Sequence, residues 1–333
     1  MRAFALMALA LAAPLAAETD PLRAIDYAAE LAAIGRYQDV DQRLQDIGWR
    51  LAAANAPYCS KVVQSIGLRL QDMASYGAPD IARQTLGLKG DFAVQNAARG
   101  SPAALSGAFT RNREIAGVDG VDPNSWPARP PMDWARPARL QDYIDGVLAE
   151  RGTIAITFAG GETVTIQPVP VCASRFELMG DSGTAAADGS RVVIGIRSHN
   201  LGYEDELFAG TVGHELSHNV LGHDAWLDRN GRSNGNVRRI EREADRLIPW
   251  LFANAGYDPA KAVEYMQRWG SEHDSGFLWP RITHDGWDER AEAIAAEVPL
   301  VRALMASEGK ADWAKHFRRA IDPNGGRLPK ANR

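Results

Sequence analysis

Apolar residues recur every three or four positions in the first part of the chain, a spacing typical of amphipathic helices. The first residues to follow it are Val40, Leu44, Ile47 and Leu51. The pattern predicts helices over 22–76, including the segment SKVVQSIGLRLQDM at 60–73, with Asp39 or Asp41 as a candidate helix cap. We expect this helical region, extended to residue 84, to form the first part of the main domain.

From about residue 86 the pattern changes to short alternating apolar runs separated by Gly and Pro, which indicates short strands. TIAITF at 153–158 and TVTIQPV at 163–169 are joined by Ala-Gly-Gly-Glu, a signal for a β-hairpin. A helix is predicted near 139–150. The Pro-rich segment 123–140 is predicted to be an exposed loop.

Residues 85–172 resemble a PDZ domain. The resemblance rests on GSPAALSGAF at 100–109, REIAGVDGV at 113–121, the helix that follows and the closing strand pair. It implies a β-rich inserted domain that captures an extended peptide tail by strand addition. The alternative is a PDZ-like module that only packs or spaces.

The second half of the chain returns to helical periodicity after one strand-like segment, SRVVIGIRSH at 190–199. Helices are predicted over 204–223, 236–256, 258–270 and 288–307. The polar, Gly-rich stretch at 224–236 is predicted to be a connecting loop between the first two of them. Residues 321–333 are predicted to be a disordered tail.

The helix over 204–223 carries the spacing His-Glu-x-x-His. Residues four apart on an α-helix lie about 40° apart around its axis. His214 and His218 can therefore direct both imidazoles at one metal ion, while Glu215 reaches a water molecule beside it. Two imidazoles leave a catalytic metal shell one ligand short.

Three candidates for the third ligand lie close by in the sequence. The first is the last His of the metzincin pattern HExxHxxGxxH, but the register is wrong and Asp224 occupies its place. His223 follows His218 by five residues, about 140° off the binding face, so we interpret it as a surface residue or an outer partner of the site. The segment IEREAD places Glu241 and Asp245 four residues apart on one helix face. We therefore expect Glu241 to be the third ligand, and Asp245 to accept a hydrogen bond from a ligand imidazole.

The stretch 185–300 resembles the HtpX- and prenyl-endoprotease-type zinc metallopeptidases, peptidase family M-48, in their soluble exported branch. The matching segments are Asp205-Glu206-Leu207, HELSHNVLGH, EREAD, and ITHDGWDERAEAI with Thr283, His284 and Arg290. The resemblance implies the gluzincin arrangement and an α+β fold. A mostly helical zincin-type metallopeptidase domain with a small edge sheet would occupy 173–320, completed by 22–84.

The mechanism that we expect uses one Zn²⁺ per chain, bound by His214, His218 and Glu241. Glu215 acts as the general base for water that attacks a peptide carbonyl. Candidates for a second donor to the developing oxyanion are His284 and Arg290. His284 could equally be a gating ligand, as the family resemblance implies. The strand at 192–196 is the candidate edge that holds an extended substrate.

The N-terminus predicts the compartment. Residues 1–17 combine one Arg, an apolar run and small residues, which is typical of a cleaved signal peptide. The run falls short of the roughly 20 residues of a membrane span, so we expect an exported protein without an integral membrane segment, periplasmic or secreted. In such a compartment Cys59 and Cys172 are expected to pair, the alternative being two free thiols. The net charge of −5 gives no basic footprint, so we do not expect nucleic acid to be a partner.

Two other functions remain open at this level. The first is a gated or largely inactive periplasmic quality-control factor that binds proteins on the same fold. The second is a metallohydrolase of non-peptide substrates, which is disfavoured because no sugar- or nucleotide-binding signature accompanies the motif. The intact pair of motifs favours the protease.

Overall fold

The computed structural model describes residues 25–273, 286–323 and 325. Within these residues the chain is mixed α and β, with small sheets and a helical majority, which is compatible with the α+β class. The predicted signal peptide, His284 and most of the predicted tail lie outside the described residues. No described helix is both long enough and apolar enough to cross a bilayer.

The described elements follow one another as a long helix, a strand-rich middle and a helical second half. The helices are α1 (Tyr27–Asn55), α2 (Pro79–Leu86), α3 (Pro102–Leu105), α4 (Ala135–Arg151), α5 (Asp205–Leu221), α6 (His223–Asn230), α7 (Asn234–Asn254), α8 (Lys261–His273), α9 (Trp287–Glu308) and α10 (Trp313–His316). The strands are β1 (Val62–Ser65), β2 (Leu68–Asp72), β3 (Phe92–Ala97), β4 (Ile115–Val118), β5 (Ile154–Phe158), β6 (Thr163–Ile166), β7 (Val169–Cys172), β8 (Arg175–Leu178), β9 (Ala185–Ala187) and β10 (Arg191–Ile194).

Helix α1 is a single helix that begins earlier than the predicted caps. Asp26 is its N-cap, and its carboxylate accepts hydrogen bonds from the backbone of Ala28 and Ala29. Asp39 and Asp41 lie inside α1, so the prediction that one of them caps a helix is wrong.

The prediction of a helix over 60–73 is also wrong, because this segment forms β1 and β2. Gly67 between the strands has φ +66°, a left-handed conformation that interrupts a helix. Ile66, Leu68 and Leu70 are all buried, and this two-residue period was already present in the sequence. Helical spacing and strand spacing overlap in so short an apolar run, and tertiary packing decided between them.

The buried apolar residues form two large clusters. The main core is built from α1, α5, α7, α8 and α9 together with β8 and β10. A second cluster, which we name the β-rich unit, runs from Ile66 to Ile166 and includes α4. Strands β2 and β3 pair across residue 85, so the packing of the β-rich unit begins before the boundary predicted there.

The strand pairing corrects one prediction and confirms another. Strand β10 lies in the centre of a three-stranded sheet, parallel to β8 and antiparallel to β9. The segment 192–196 is therefore not an edge, and the free edge on this side belongs to β9. The predicted hairpin is confirmed, because β5 and β6 pair in register with Ile154 opposite Ile166.

Two predicted irregular segments are partly ordered. Most of the predicted loop after residue 223 forms α6. Residue 321, where the predicted tail starts, is ordered, because the Ile321 side chain is buried with Trp226, Leu227 and Ile240. The backbone carbonyl of Asp322 accepts a hydrogen bond from the Trp226 indole at 2.9 Å.

A disulfide links Cys59 to Cys172 across a sequence separation of 113 residues. Cys59 follows α1, and Cys172 ends β7, which pairs with β1. The bond therefore joins the end of the first helix to the point where the chain leaves the β-rich unit. Such a bond limits the conformational freedom of the unfolded chain.

We predict that the double substitution Cys59→Ser and Cys172→Ser lowers the free energy of unfolding by about 4 kcal/mol, since the closed loop is long. Urea unfolding of the variant and of the oxidised protein measures the difference. Reductant should lower the unfolding midpoint of the parent protein and leave that of the variant unchanged. Equal midpoints for the two proteins would contradict this prediction.

Candidate metal centre

Helix α5 carries the first two candidate ligands through the middle of the main core. Its first turn contains Asp205 and Glu206, acidic residues that suit the positive end of a helix dipole. It ends at Gly222, whose φ of +70° allows the left-handed turn that closes many helices. Most side chains between Phe208 and Leu221 are buried, so α5 is enclosed on nearly all sides.

The donor atoms of His214, His218 and Glu241 converge on one point. The two Nε2 atoms are 3.2 Å apart. The Glu241 carboxylate lies 3.3 Å from Nε2 of His214 and 3.5 Å from Nε2 of His218. One ligand atom from each residue lies within 4.8 Å of the others, which is compatible with a single metal ion. The three residues could hold a metal ion, as the sequence pattern predicts.

Asp245 lies where the spacing of α7 predicts, behind one of the imidazoles. Its Oδ1 is 2.9 Å from Nδ1 of His214. The side chain of Asp245 is fully buried, and Arg290 on α9 binds it through two hydrogen bonds of 2.6 and 2.9 Å. A buried carboxylate is costly unless it is paired in this way. Asp245 thus lies against the His214 ring, where it can orient the imidazole, and Arg290 fixes Asp245.

The electrostatic environment attracts a cation. Burial disfavours a charged imidazole, but hydrogen bonds to Asp245 and Glu241 outweigh it and raise the pKa of His214 to about 10. Burial also opposes ionisation of Glu241, yet the adjacent imidazoles hold the pKa of its carboxyl well below the usual range. The excess of negative charge that binds a proton here equally suits a metal cation.

His223 lies behind His218, so its interpretation as a surface residue is wrong and the outer-partner alternative is the one that fits. It is 1% exposed, and its Nδ1 is 3.0 Å from Nδ1 of His218. The predicted angle of about 140° assumed that one helix continues through residue 223. Instead, α5 ends at Gly222 and His223 starts α6 in a new direction. On its other side His223 contacts Glu243, whose Oε2 is 2.9 Å from Nε2.

Glu215 lines an open cleft of about 560 Å³ together with the three candidate ligands. Burial raises the pKa of its carboxyl to about 7, which brings it into the range of a general base at neutral pH. Strand β9 and the side chains of Tyr265 and Trp269 also line this cleft. An extended ligand lying along β9 would pass the candidate ligands.

Arg290, one of the two candidate oxyanion donors, makes its closest contacts with Asp245. Its guanidinium is 4% exposed, and its Nε and one terminal nitrogen donate to Asp245. A terminal nitrogen also lies 3.7 Å from Glu241. These contacts show Arg290 supporting Asp245, and it also lines the cleft, so its role as a donor to the oxyanion stays a prediction. His284, the other candidate, lies outside the described residues.

Two residues of this centre were missed by the sequence reasoning, Glu243 and Arg319. Glu243 lies in the same IEREAD segment but two residues from Glu241, and so faces the opposite side of α7. Arg319 comes from a distant part of the chain and lies 2.9 Å from the Glu243 carboxylate. The chain changes direction at Gly222, so α6 contacts α7. Only this change brings His223 to the side of α7 that carries Glu243.

Comparisons with protein-family models, with curated proteins and with solved structures find no match for this chain. The family resemblance and the PDZ resemblance therefore stay predictions from motifs.

We predict that Glu241→Gln loses bound divalent metal, because the amide removes the negative charge from the third donor. The loss of affinity should exceed the roughly 10–100-fold that removal of an outer partner costs. Mass spectrometric metal analysis after dialysis against a mixture of divalent first-row ions measures it. Glu215→Gln, the same change next to His214, is the control and should keep its metal; equal metal content in both variants would exclude Glu241 as a ligand.

Proposed function

We propose that this protein is a zinc-dependent endopeptidase of the gluzincin type, related to peptidase family M-48. One observation carries the proposal: two imidazoles and one carboxylate converge within 4.8 Å beside Glu215 in an open cleft. This combination matches catalytic zinc sites, which use three protein ligands and leave one position open. The composition offers no competing nucleotide or sugar signature.

The donor set fits zinc. Zinc accepts neutral imidazole nitrogen and carboxylate oxygen in a tetrahedral shell. Each ligand imidazole has an outer partner on its other nitrogen, Asp245 for His214 and His223 for His218, as metal-bound histidines usually have. We therefore infer one Zn²⁺ per chain, bound by His214, His218 and Glu241.

A bound zinc ion supplies Lewis acidity, which lowers the pKa of water and polarises a peptide carbonyl. The Glu215 carboxylate accepts a proton from the attacking water as the carbon–oxygen bond forms. It returns that proton to the amide nitrogen as the carbon–nitrogen bond breaks. The second proton of the water passes to the released amine, so one water is consumed and a carboxylate and an ammonium group are released. Asp245 and Arg290 keep the His214 ring in place during this exchange.

The substrate segment is proposed to lie along β9. Thr184 and Asp188 make backbone hydrogen bonds to the β10 side at 2.9 and 3.2 Å. Because pairing alternates along antiparallel strands, the backbone groups of Ala185 and Ala187 face away from β10. They are free to pair with an extended peptide, and the small alanine side chains leave room for it.

The β-rich unit is proposed to dock a substrate or partner in the manner of a PDZ domain. Strand β1, which directly precedes the β-rich unit, pairs with β7 and carries the half-exposed side chains of Val62 and Val63. A cavity of about 470 Å³ lies between this strand, α4 and the main core. The unit could thereby receive an extended peptide next to the main core. Export to the periplasm is the proposed setting, in which the Cys59–Cys172 disulfide would be stable.

We predict that Glu215→Gln binds zinc as tightly as the parent protein but no longer cleaves casein, because an amide does not accept the proton of water. Casein proteolysis and zinc content of the same preparations measure the two effects. Glu150→Gln, on the exposed end of α4, is the matched control and should cleave normally. Cleavage at the parent rate by Glu215→Gln would show that Glu215 is not the base.

The comparison of the parent protein with Glu215→Gln also distinguishes a protease from the competing function. A protein-binding factor without protease activity would bind zinc and unfolded protein, yet parent and Glu215→Gln would be equally inactive. A protease gives activity in the parent alone.

We predict that Ala187→Pro weakens substrate binding several-fold, since the loss of one net hydrogen bond costs about 1 kcal/mol. Proline removes the N–H that faces the cleft and is tolerated on an edge strand. The KM of peptide hydrolysis should rise while zinc content stays constant. Ala187→Ser keeps the N–H and serves as the control; an unchanged KM for the proline variant would argue against pairing along β9.

A further inference from the structure

A chain of buried polar contacts leads away from His218, on the side opposite the metal position. Nδ1 of His218 lies 3.0 Å from Nδ1 of His223, and Nε2 of His223 lies 2.9 Å from Oε2 of Glu243. The side chains of His223 and Glu243 are 1% and 0% exposed. Water therefore has almost no access to His223 and Glu243, and each of their polar atoms must find its hydrogen-bond partner in a neighbouring side chain.

Glu243 connects this series of polar contacts to the segment 319–322. Its Oε2 lies 2.9 Å from a terminal nitrogen of Arg319. Its Oε1 accepts backbone hydrogen bonds from Ala320 and Ile321. Four donors thus surround one buried carboxylate, which explains how its charge is tolerated inside the core.

The segment 319–322 is itself held firmly. Arg319 donates to the carbonyl oxygen of Leu221, the last residue of α5, at 3.0 Å. Ile321 is buried against Trp226 and Ile240. The segment therefore connects the end of the ligand-bearing helix α5 to the carboxylate behind His223.

The order of atoms fixes the direction of every hydrogen bond once His218 binds a metal through Nε2. Nδ1 of His218 must then carry its hydrogen and donate it to Nδ1 of His223. Nε2 of His223 in turn carries a hydrogen and donates it to Glu243. Only one tautomer of each ring allows both hydrogen bonds, from His218 to His223 and from His223 to Glu243. In that tautomer the Nε2 lone pair of His218 points to the metal.

We propose that His223, Glu243 and Arg319 form a relay of positioning residues that fixes the tautomer and orientation of His218 and so determines how tightly the metal is held. The relay makes the segment 319–322 a part of the metal centre. It complements Asp245 and Arg290, which act on His214. The inference rests on the proposed zinc centre.

The test measures zinc affinity of the full-length protein by competition with a chromophoric chelator. His223→Ala should raise the zinc dissociation constant by about 10–100-fold, the usual effect of losing an outer partner. His223→Gln should restore most of the affinity, because its amide oxygen accepts and its amide nitrogen donates. Arg319→Met should give a smaller loss in the same direction and covers the case in which His223→Ala does not fold.

Glu297→Gln is the matched control. Glu297 pairs with Arg246, which donates to the backbone carbonyl of Arg318 at 3.3 Å, so it supports the same region of the chain by another route. Its substitution should lower thermal stability and leave zinc affinity unchanged. The absorption spectrum of the cobalt-substituted protein should shift for His223→Ala and Arg319→Met and stay constant for Glu297→Gln.

Three results would overturn the inference. Equal zinc affinity of the parent, His223→Ala and Arg319→Met would exclude the relay while leaving the proposed zinc peptidase intact. An equal loss in Glu297→Gln would show that general packing, rather than the relay, controls affinity. Absence of zinc binding by the parent protein would remove both the relay and the proposed function.

Discussion

The packing of α5 against α7 inside the main core is the constraint on which the rest of the structure depends. It brings two imidazoles and the carboxylate of Glu241 to the wall of the cleft, and it buries the carboxylates of Glu243 and Asp245 completely behind them. Charged and polar groups in such a place destabilise the fold unless each has a partner. The surrounding structure supplies those partners: Arg290 from α9, His223 from α6 and Arg319 from beyond α10.

This pairing divides into two supports, one behind each imidazole. Behind His214 lies a carboxylate that is held by an arginine. Behind His218 lies a second histidine, then a carboxylate, then an arginine. Both supports end in a cation from a distant segment, so the same contacts that fold the chain also orient the donor atoms. In the proposed enzyme, stability and metal binding therefore depend on shared residues.

The sheet places the proposed chemistry at an accessible edge. Strand β10 is covered on both sides, whereas the short strand β9 leaves one row of backbone groups unpaired along the cleft. Three consecutive alanines form β9, and alanine favours helices and is depleted in strands, so residue preference does not predict this strand. The apolar segment 192–196 carries the stronger strand pattern in the sequence. That apolar character reflects burial in the centre of the sheet and does not identify the sheet edge.

Some parts of the site could be read from local spacing alone. His214, Glu215 and His218 follow from helical geometry within one segment, and Glu241 with Asp245 follows from a second. The β5–β6 hairpin and the helices α7 and α9 likewise depend on short-range patterns. The segment 60–73 was misassigned because apolar residues in a short run satisfy both helical and strand periods, and only pairing with β7 and β3 selects the strands.

The sequence by itself determined which residues are candidates for binding a metal and for acting as a base, because both candidacies depend on side-chain chemistry and on spacing within single helices. Only the tertiary structure decided which groups stand behind the ligands. The polypeptide changes direction at Gly222, just before His223, and Glu243 faces away from the donors. Arg319 is separated from Glu243 by more than seventy residues along the polypeptide. Contacts between segments so far apart are set by the packing of the whole core, and no local pattern encodes them.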